Sequence, residues 1–473
     1  MTYKVYAPNV HLFAFHLRSP LATSVYQNEP PDNLLWQKCD QIFDKLQIEN
    51  INLTDKLSQN PSDSPRVDLL LEEMQENKFS LPFDSHIALK ESHSVKISGF
   101  VYPLQTHDSY ALWLNLRRPE RENGKRTEYV DISMLGKLNP ENCLLPAFIE
   151  SSLGQTLLIT MWLTEGQNYQ DKHFLKELAD QCINHFISDS ESRPKFNREG
   201  LLFGSPIFEY GIINQPPPYQ HILVWLFSHA VTETKFEKCY KELMDLFYYR
   251  NKIVQAYKNS RDVYKSLYEE YIMVEKEVNS IEELSEGRHL KFSDMAKFKK
   301  LLKRLPKTAL DYSRLMRDLD QSQHTIRLNT QNYEEKITRI QAKLQSDNLI
   351  FLETFSKKNC IYLQEEIQAD LRYFEHGSTL LEKMLGAIRG MVEIEQAERY
   401  SYRQQTIKWL GIGIGTAVIT ASSCAHITPT NPLRPPFTTK SLHPFSIALF
   451  TSIVLGIVAA LTARWFLQWS RDL

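Results

Sequence analysis

The C-terminal segment constrains this chain most. From Trp409 to Ile427 there is no charged residue unless His426 is protonated, and from Phe445 to Ala463 there is none, with Phe466 and Leu467 extending the run past Arg464. A helix rises about 1.5 Å per residue, so roughly 19–23 residues cover a hydrocarbon core about 30 Å thick. Between the two runs lies Thr428 to Pro444, where five prolines (Pro429, Pro432, Pro435, Pro436 and Pro444) forbid a continuous helix. The pattern predicts a two-helix transmembrane hairpin, with spans at about 409–427 and 445–467. A pair of buried helices in a soluble core is the alternative for such runs.

Orientation follows from the flanking cations. Arg399, Arg403 and Lys408 precede the first span and Arg464 and Arg471 end the second, whereas the loop holds Arg434 and Lys440. This bias places both termini on the cytoplasmic side of the cell inner (plasma) membrane, with Trp409, Trp465 and Trp469 at the interfaces. Met1 to Arg18 lacks the charged, apolar, small-residue order of a signal peptide, so about 400 residues are expected in the cytoplasm. Both spans carry small or polar residues at helical spacing: Gly413, Thr416, Thr420 and Ser423 in the first, Ser452, Gly456 and Ala460 in the second. Such a stripe serves either close helix packing or the lining of a pore.

Upstream, residues 219–286 and 307–376 contain neither glycine nor proline and are rich in helix formers. Apolar residues recur there in three- and four-residue steps, as in Phe236, Tyr240, Leu243, Phe247 and in Tyr333, Ile337, Ile340, Leu344. That stripe buries against partner helices. Gly287 ends one helix, Ser293 and Asp294 offer an N-cap for the next, and Pro306 kinks or divides it. A third helix is expected from about Gln331 past Gly377, Gly386 and Gly390 into the membrane at Trp409, with the glycines as a hinge.

The first 230 residues read differently. Short β-rich runs recur at Lys4–Tyr6, His11–Leu17, Val95–Leu104, Tyr110–Leu116, Tyr129–Ile132, Thr156–Leu163, Pro206–Ile213 and His221–Phe227. Helical patterns lie between some of them, at Leu34–Leu46, Arg66–Asn77 and Lys172–Ile187. The expected architecture is an α+β (mixed α/β) cytoplasmic head at 1–230, a long helical bundle or coiled-coil stalk at 231–408, the hairpin at 409–467 and a cytoplasmic tail at 468–473.

Chemistry is sparse. Lys plus Arg number 55 against 57 Asp plus Glu, which argues against a dedicated nucleic-acid binder. No two of the six cysteines lie within four residues of each other, which excludes a local zinc knuckle or redox pair. No phosphate-binding glycine loop, dinucleotide fingerprint, zincin or nucleophile-elbow motif occurs, so no enzyme, cofactor or metal site is expected. Two basic clusters stand out. Arg117, Arg118, Arg121, Lys125 and Arg126 crowd a hairpin loop together with Glu120, Glu122 and Glu128, as in a solvated turn or a phosphate site. Lys297, Lys299, Lys300, Lys303 and Arg304 alternate with Phe298, Leu301, Leu302 and Leu305, as on the wet face of a bundle or at an anionic lipid surface. His11, His16 and His221 sit singly in apolar strands, where core or edge positions are the usual outcome.

The order of parts resembles that of CorA-type divalent-cation transporters: an α/β head, long helices, a stalk entering the membrane, a short outer loop, a second span and a brief basic tail. The Gly-Met-Asn signature of that family's loop is missing, and the loop reads His426-Ile-Thr-Pro-Thr-Asn-Pro432, with Asn431 beside the motif's asparagine. The segments Leu202–Gly211 (LFGSPIFEYG) and Gly390–Arg399 (GMVEIEQAER) also look like those of large uncharacterised membrane proteins of cyanobacteria. The first likeness implies a homo-oligomeric pore for a divalent or other cation, gated by the head. A membrane-anchored scaffold or sensor, with the lipid bilayer and a head-binding molecule as partners, is the competing expectation.

Overall fold

One long strand, buried on both faces, organises the N-terminal region. In β1 (Lys4–Leu17) the even-numbered Val10, Leu12 and Ala14 join the main apolar core, while His11, Phe13 and Phe15 point to the opposite face. A computed structural model describes residues 3–18, 33–49, 51–58, 64–71, 80–90, 93–164, 171–215, 219–285, 292–345, 348–424 and 444–469. The two strands expected at Lys4–Tyr6 and His11–Leu17 are one, because Ala7 adopts φ 49° and the register against the neighbouring strand shifts between Tyr6 and Asn9. This bulge accommodates Pro8, which cannot donate to a regular ladder.

Around β1 the sheet is assembled from β2 (Arg66–Asp68), β3 (Leu81–Lys90), β4 (His93–Thr106), β5 (Ser109–Arg117), β8 (Val130–Asp131), β9 (Gly154–Trp162), β10 (Phe196–Leu202), β11 (Ser205–Tyr210) and β12 (His221–Phe227). Its order is β10-β11-β12-β9-β1-β5-β4-β2, with β3 also on β4 and β8 also on β1. The ladders are antiparallel except for β12 against β9, where the chain crosses over. A separate pair of two-residue strands, β6 (Arg121–Glu122) with β7 (Lys125–Arg126), holds Arg121, Lys125 and Arg126 of the first basic cluster.

Helices cover one face. The apolar side of α1 (Leu34–Lys45) contributes Leu35, Cys39, Ile42 and Phe43 to the core, and α4 (Lys172–Phe186) contributes Leu175, Leu178, Ala179 and Cys182. Two single-turn helices, α2 (Met134–Lys137) and α3 (Pro146–Ile149), close the same layer. The helix expected at Arg66–Asn77 is a correction: residues 66–68 pair with Leu104–Thr106 as β2, and 72–79 lie outside the described residues. Tertiary partners override the local helical pattern there. Tyr102 on β4 donates its hydroxyl to Asp68, and Arg66 donates to Asp245 at 2.8 Å.

The other face is covered by α5 (Ala230–Ser285), whose Phe236, Phe247 and Tyr248 stack on His11, Phe13 and Phe15. The next helix, α6 (Phe292–Leu344), contains Pro306 without dividing. The helix expected to run on from Gln331 is interrupted. After Leu344 the chain turns through Gln345 at φ 53°, then forms α7 (Ile350–Thr354), a π-helical turn at Phe355–Cys360, and α8 (Ile361–Cys424). Consequently α6 and α8 are antiparallel, joined by Gln323 Nε2 to Gln364 O at 3.4 Å. The last helix, α9 (Pro444–Trp469), begins with proline at a position whose N–H would lack a helical partner anyway. Residues 425–443, including the expected outer loop, lie outside the described residues.

The chain divides into two units. One comprises Met1–Leu267 with Leu315–Tyr373, and the other Tyr268–Arg314 with Phe374–Leu473. Within the second, Tyr312 donates to Phe374 O at 2.6 Å, and Gly377 is required by close approach: a Cβ there would lie 2.3 Å from Tyr312 Oη and 2.8 Å from Tyr271. Among the described residues one helix is long and apolar enough to cross a membrane, at Leu449–Phe466 with mean hydropathy 1.8.

Candidate functional site

The strands bring polar residues to a place where their pattern would otherwise be apolar. Asn9 and His11 on β1 and Asn115 on β5 share one face of the sheet with Trp113, because residues two apart on a strand point the same way. The first turns of α5 stand over them, carrying Glu233, Phe236, Glu237 and Tyr240. Between sheet and helix lies a cavity of about 480 Å³. Seven of its nineteen lining residues are aromatic, and Arg117, Arg118, Glu120, Glu233 and Glu237 supply charge.

Hydrogen bonding fixes the state of the floor. Trp113 Nε1, which can only donate, reaches His11 Nδ1 at 3.2 Å, and Asn115 Nδ2 stands 3.0 Å from the same nitrogen. Asn115 also donates to Asn9 Oδ1 at 2.5 Å. The proton of His11 is therefore on Nε2. That atom and Asn115 Oδ1 have no hydrogen-bond partner although both residues are buried. A buried donor and a buried acceptor left unpaired each cost about 1–3 kcal/mol, which the packing around them offsets. Burial, aided by Arg117, holds the His11 pKa down to about 3, so the ring is neutral.

At the rim the balance is acidic. Burial, then the neighbouring Glu120 and Glu237, push Glu233 up to about 7, against the pull of Arg117. Arg118 is committed to Lys96 O at 2.9 Å and Glu122 at 3.1 Å. Glu120 accepts from Trp162 Nε1 at 2.8 Å.

A second polar cluster in the same unit is closed. Glu209 on β11 accepts from Arg198 Nε and Arg250 Nη2, both at 2.6 Å, and His221 Nε2 lies 3.6 Å away. The guanidinium of Arg250 lies over the Phe355 ring at 4.0 Å, and that of Arg198 over Phe351 at 4.4 Å. Burial alone would raise the Glu209 pKa, but Arg250 and Arg198 hold it at about 2. Burial and Arg250 keep His221 neutral.

Of the residues singled out in the sequence, His11, Arg117 and Arg118 line the cavity and the others fall elsewhere. Gly413 on α8 meets α9: a Cβ would lie 2.8 Å from Ala460 Cβ and 3.0 Å from Gly456 O. Thr416 and Thr420 return hydrogen bonds to Ile412 O and Thr416 O at 2.9 and 2.7 Å, and Ser423 lies in the last turn of α8. Lys297, Lys299, Lys300 and Lys303 are exposed on α6, Arg304 pairs with Glu277, and Phe298 and Leu305 are buried. Of the hairpin-loop cluster, Arg117 and Arg118 border the cavity, while Arg126 packs over Tyr6 at 4.4 Å. Asn9, Asn115 and Glu233 were not singled out by sequence, although polar residues at inward strand positions, such as Asn9 and Asn115, are a usable signal. Among the described residues no group of three or more His, Cys, Asp or Glu is placed to hold a metal ion.

Comparison with protein-family models, curated proteins and solved structures gives no match to this chain.

Proposed function

We propose that this chain is a membrane-anchored sensor: a non-catalytic cytoplasmic head that binds a small molecule between its sheet and α5, held to the inner membrane by a C-terminal helical hairpin. The observation that carries the reading is the cavity of about 480 Å³ itself, lined by His11, Trp113 and Asn115 on the strands and by Glu233, Phe236 and Glu237 on α5. Anchoring is supported by α9 and the end of α8. Small residues meet between them at Gly413, Ala417, Gly456 and Ala460, while Ile414, Ile419, Phe450, Trp465 and Phe466 are more than half exposed. That distribution suits lipid outside and close packing inside.

The test uses the full chain expressed in cells. Resistance of the membrane fraction to alkaline carbonate, with Thr2→Cys labelled from the cytoplasmic side and Ser441→Cys from the outer side, is the expected result. Recovery in the soluble fraction, or labelling of both sites from one side, overturns the anchor. A second reading, a CorA-like homo-oligomeric pore for a divalent or other cation, is favoured by the continuity of α8 from Ile361 to Cys424. Cation flux in proteoliposomes, lost on Thr416→Leu with Thr420→Leu, would establish it in place of the sensor.

A further inference from the structure

We infer that the cavity of the head is a site for an organic cation, a small alkylated ammonium compound. The inference rests on the sensor reading and names its ligand.

The walls come first. Phe100, Tyr102, Trp113, Trp162, Phe236 and Tyr240 line the space from three strands and the helix. Aromatic faces attract a cation through their quadrupole, and a weakly hydrated alkylated ammonium loses little on leaving water. At about 480 Å³ the space suits a small molecule and is far larger than one metal ion needs.

Charge selects the same class. Glu120, Glu233 and Glu237 face the cavity, against Arg117 and an Arg118 already committed to Glu122 and Lys96 O. His11 contributes no positive charge, since Trp113 donates to its Nδ1 and its burial disfavours protonation. An anion would meet three carboxylates. A bare metal ion lacks the set of ligating side chains, because no such group forms among the described residues. An organic cation meets the carboxylates and the rings together. His11 and Asn115 complete the lining on the strand side.

Titration of the full-length protein in detergent tests this, read by tryptophan fluorescence because Trp113 and Trp162 border the space. The probes are choline, its neutral isostere 3,3-dimethylbutan-1-ol, and magnesium chloride. Saturable quenching by choline is expected, with the neutral isostere at least tenfold weaker and magnesium without competing effect. Glu233→Gln with Glu237→Gln should weaken choline at least tenfold while the circular dichroism spectrum and the isostere's binding stay unchanged. Equal binding of choline and the isostere overturns the cation class but leaves a ligand-binding head. Competition by magnesium also overturns it, in favour of a metal site. Absence of saturable binding by either organic probe overturns the inference, while carbonate extraction of the same preparation separately decides the anchor.

Discussion

Arg250 Nη2 donates to Glu209 Oε1 at 2.6 Å, with both side chains almost wholly removed from water. Isolated charges at that depth are costly, and the pair persists because Arg198 and the rings of Phe351 and Phe355 surround it. Strand β11 is thereby tied to α5 and to the π-helical turn within one unit.

Removing the acid should therefore be severe. Glu209→Ala leaves the buried Arg250 and the partly exposed Arg198 without their shared carboxylate and is expected to cost about 3–5 kcal/mol, measured by urea unfolding. Glu209→Gln keeps acceptor capacity and should cost less. Acid titration should agree in sign: the carboxylate's pKa of about 2 lies below its ordinary 4.5, so its contribution is full above pH 4.5 and is lost as pH falls toward 2. A wild type and Glu209→Ala of equal stability at pH 7 would exclude this role.

Glu233 has the opposite sign. Its pKa of about 7 exceeds the ordinary 4.5, so the folded protein holds a proton that the unfolded chain releases over that interval. Stability from this group falls between pH 4.5 and 7 and stays lower above. Glu233→Gln should raise the melting temperature at pH 8 and leave it unchanged at pH 4, by scanning calorimetry at both values. If the site takes a cation, choline should bind more tightly at pH 8 than at pH 5.5, because the ionised carboxylate is the attractive form. Glu120, Glu237, Arg117 and Arg118 face the same space, Glu120 and Glu237 pushing Glu233 up and Arg117 pulling it down, and His11 stays neutral throughout this range.

The crossing of α6 and α8 depends on a missing side chain. Gly377→Ala places a methyl group against Tyr312 and Tyr271 and should destabilise by about 1–3 kcal/mol through overpacking. Gly386, with open space at its Cβ position, is the control: Gly386→Ala should be neutral or stabilising by about 0.5–1 kcal/mol. Thermal unfolding of both variants in detergent separates contact from helix propensity.

Gly413 and Gly411 form a similar contrast near the C-terminus. A side chain at 413 meets Ala460 and Gly456, whereas one at 411 meets nothing within 4 Å. Gly413→Leu should lower the melting temperature in detergent, and Gly411→Leu should not. Equal effects would show that helix packing at Gly413 is not what holds α8 to α9.

Local pattern made much of this chain legible. The runs at Leu34–Leu46 and Lys172–Ile187 become α1 and α4 within one residue at either end, and His221–Phe227 is β12 unchanged. The apolar run after Phe445 is the helix α9, because hydropathy over a single segment needs no partner to interpret. Residues 66–68 form a strand because β2 is fixed by β4 across an intervening strand, and the helix expected to run on from Gln331 breaks after Leu344, where Gln345 takes φ 53° and a π-helical turn follows at Phe355–Cys360.

The sequence by itself determined most of the long helices, several of the strands and which helix is apolar, since propensity and periodicity act between neighbours in the chain. Tertiary structure alone decided that His11, Asn115 and Glu233, spread over more than two hundred positions, border one cavity. It also decided that Glu209, Arg198 and Arg250 neutralise one another in a single cluster. The physical reason is that ladder pairing and helix-on-sheet packing set such distances, and their energies arise from groups far apart in sequence that become near only on folding.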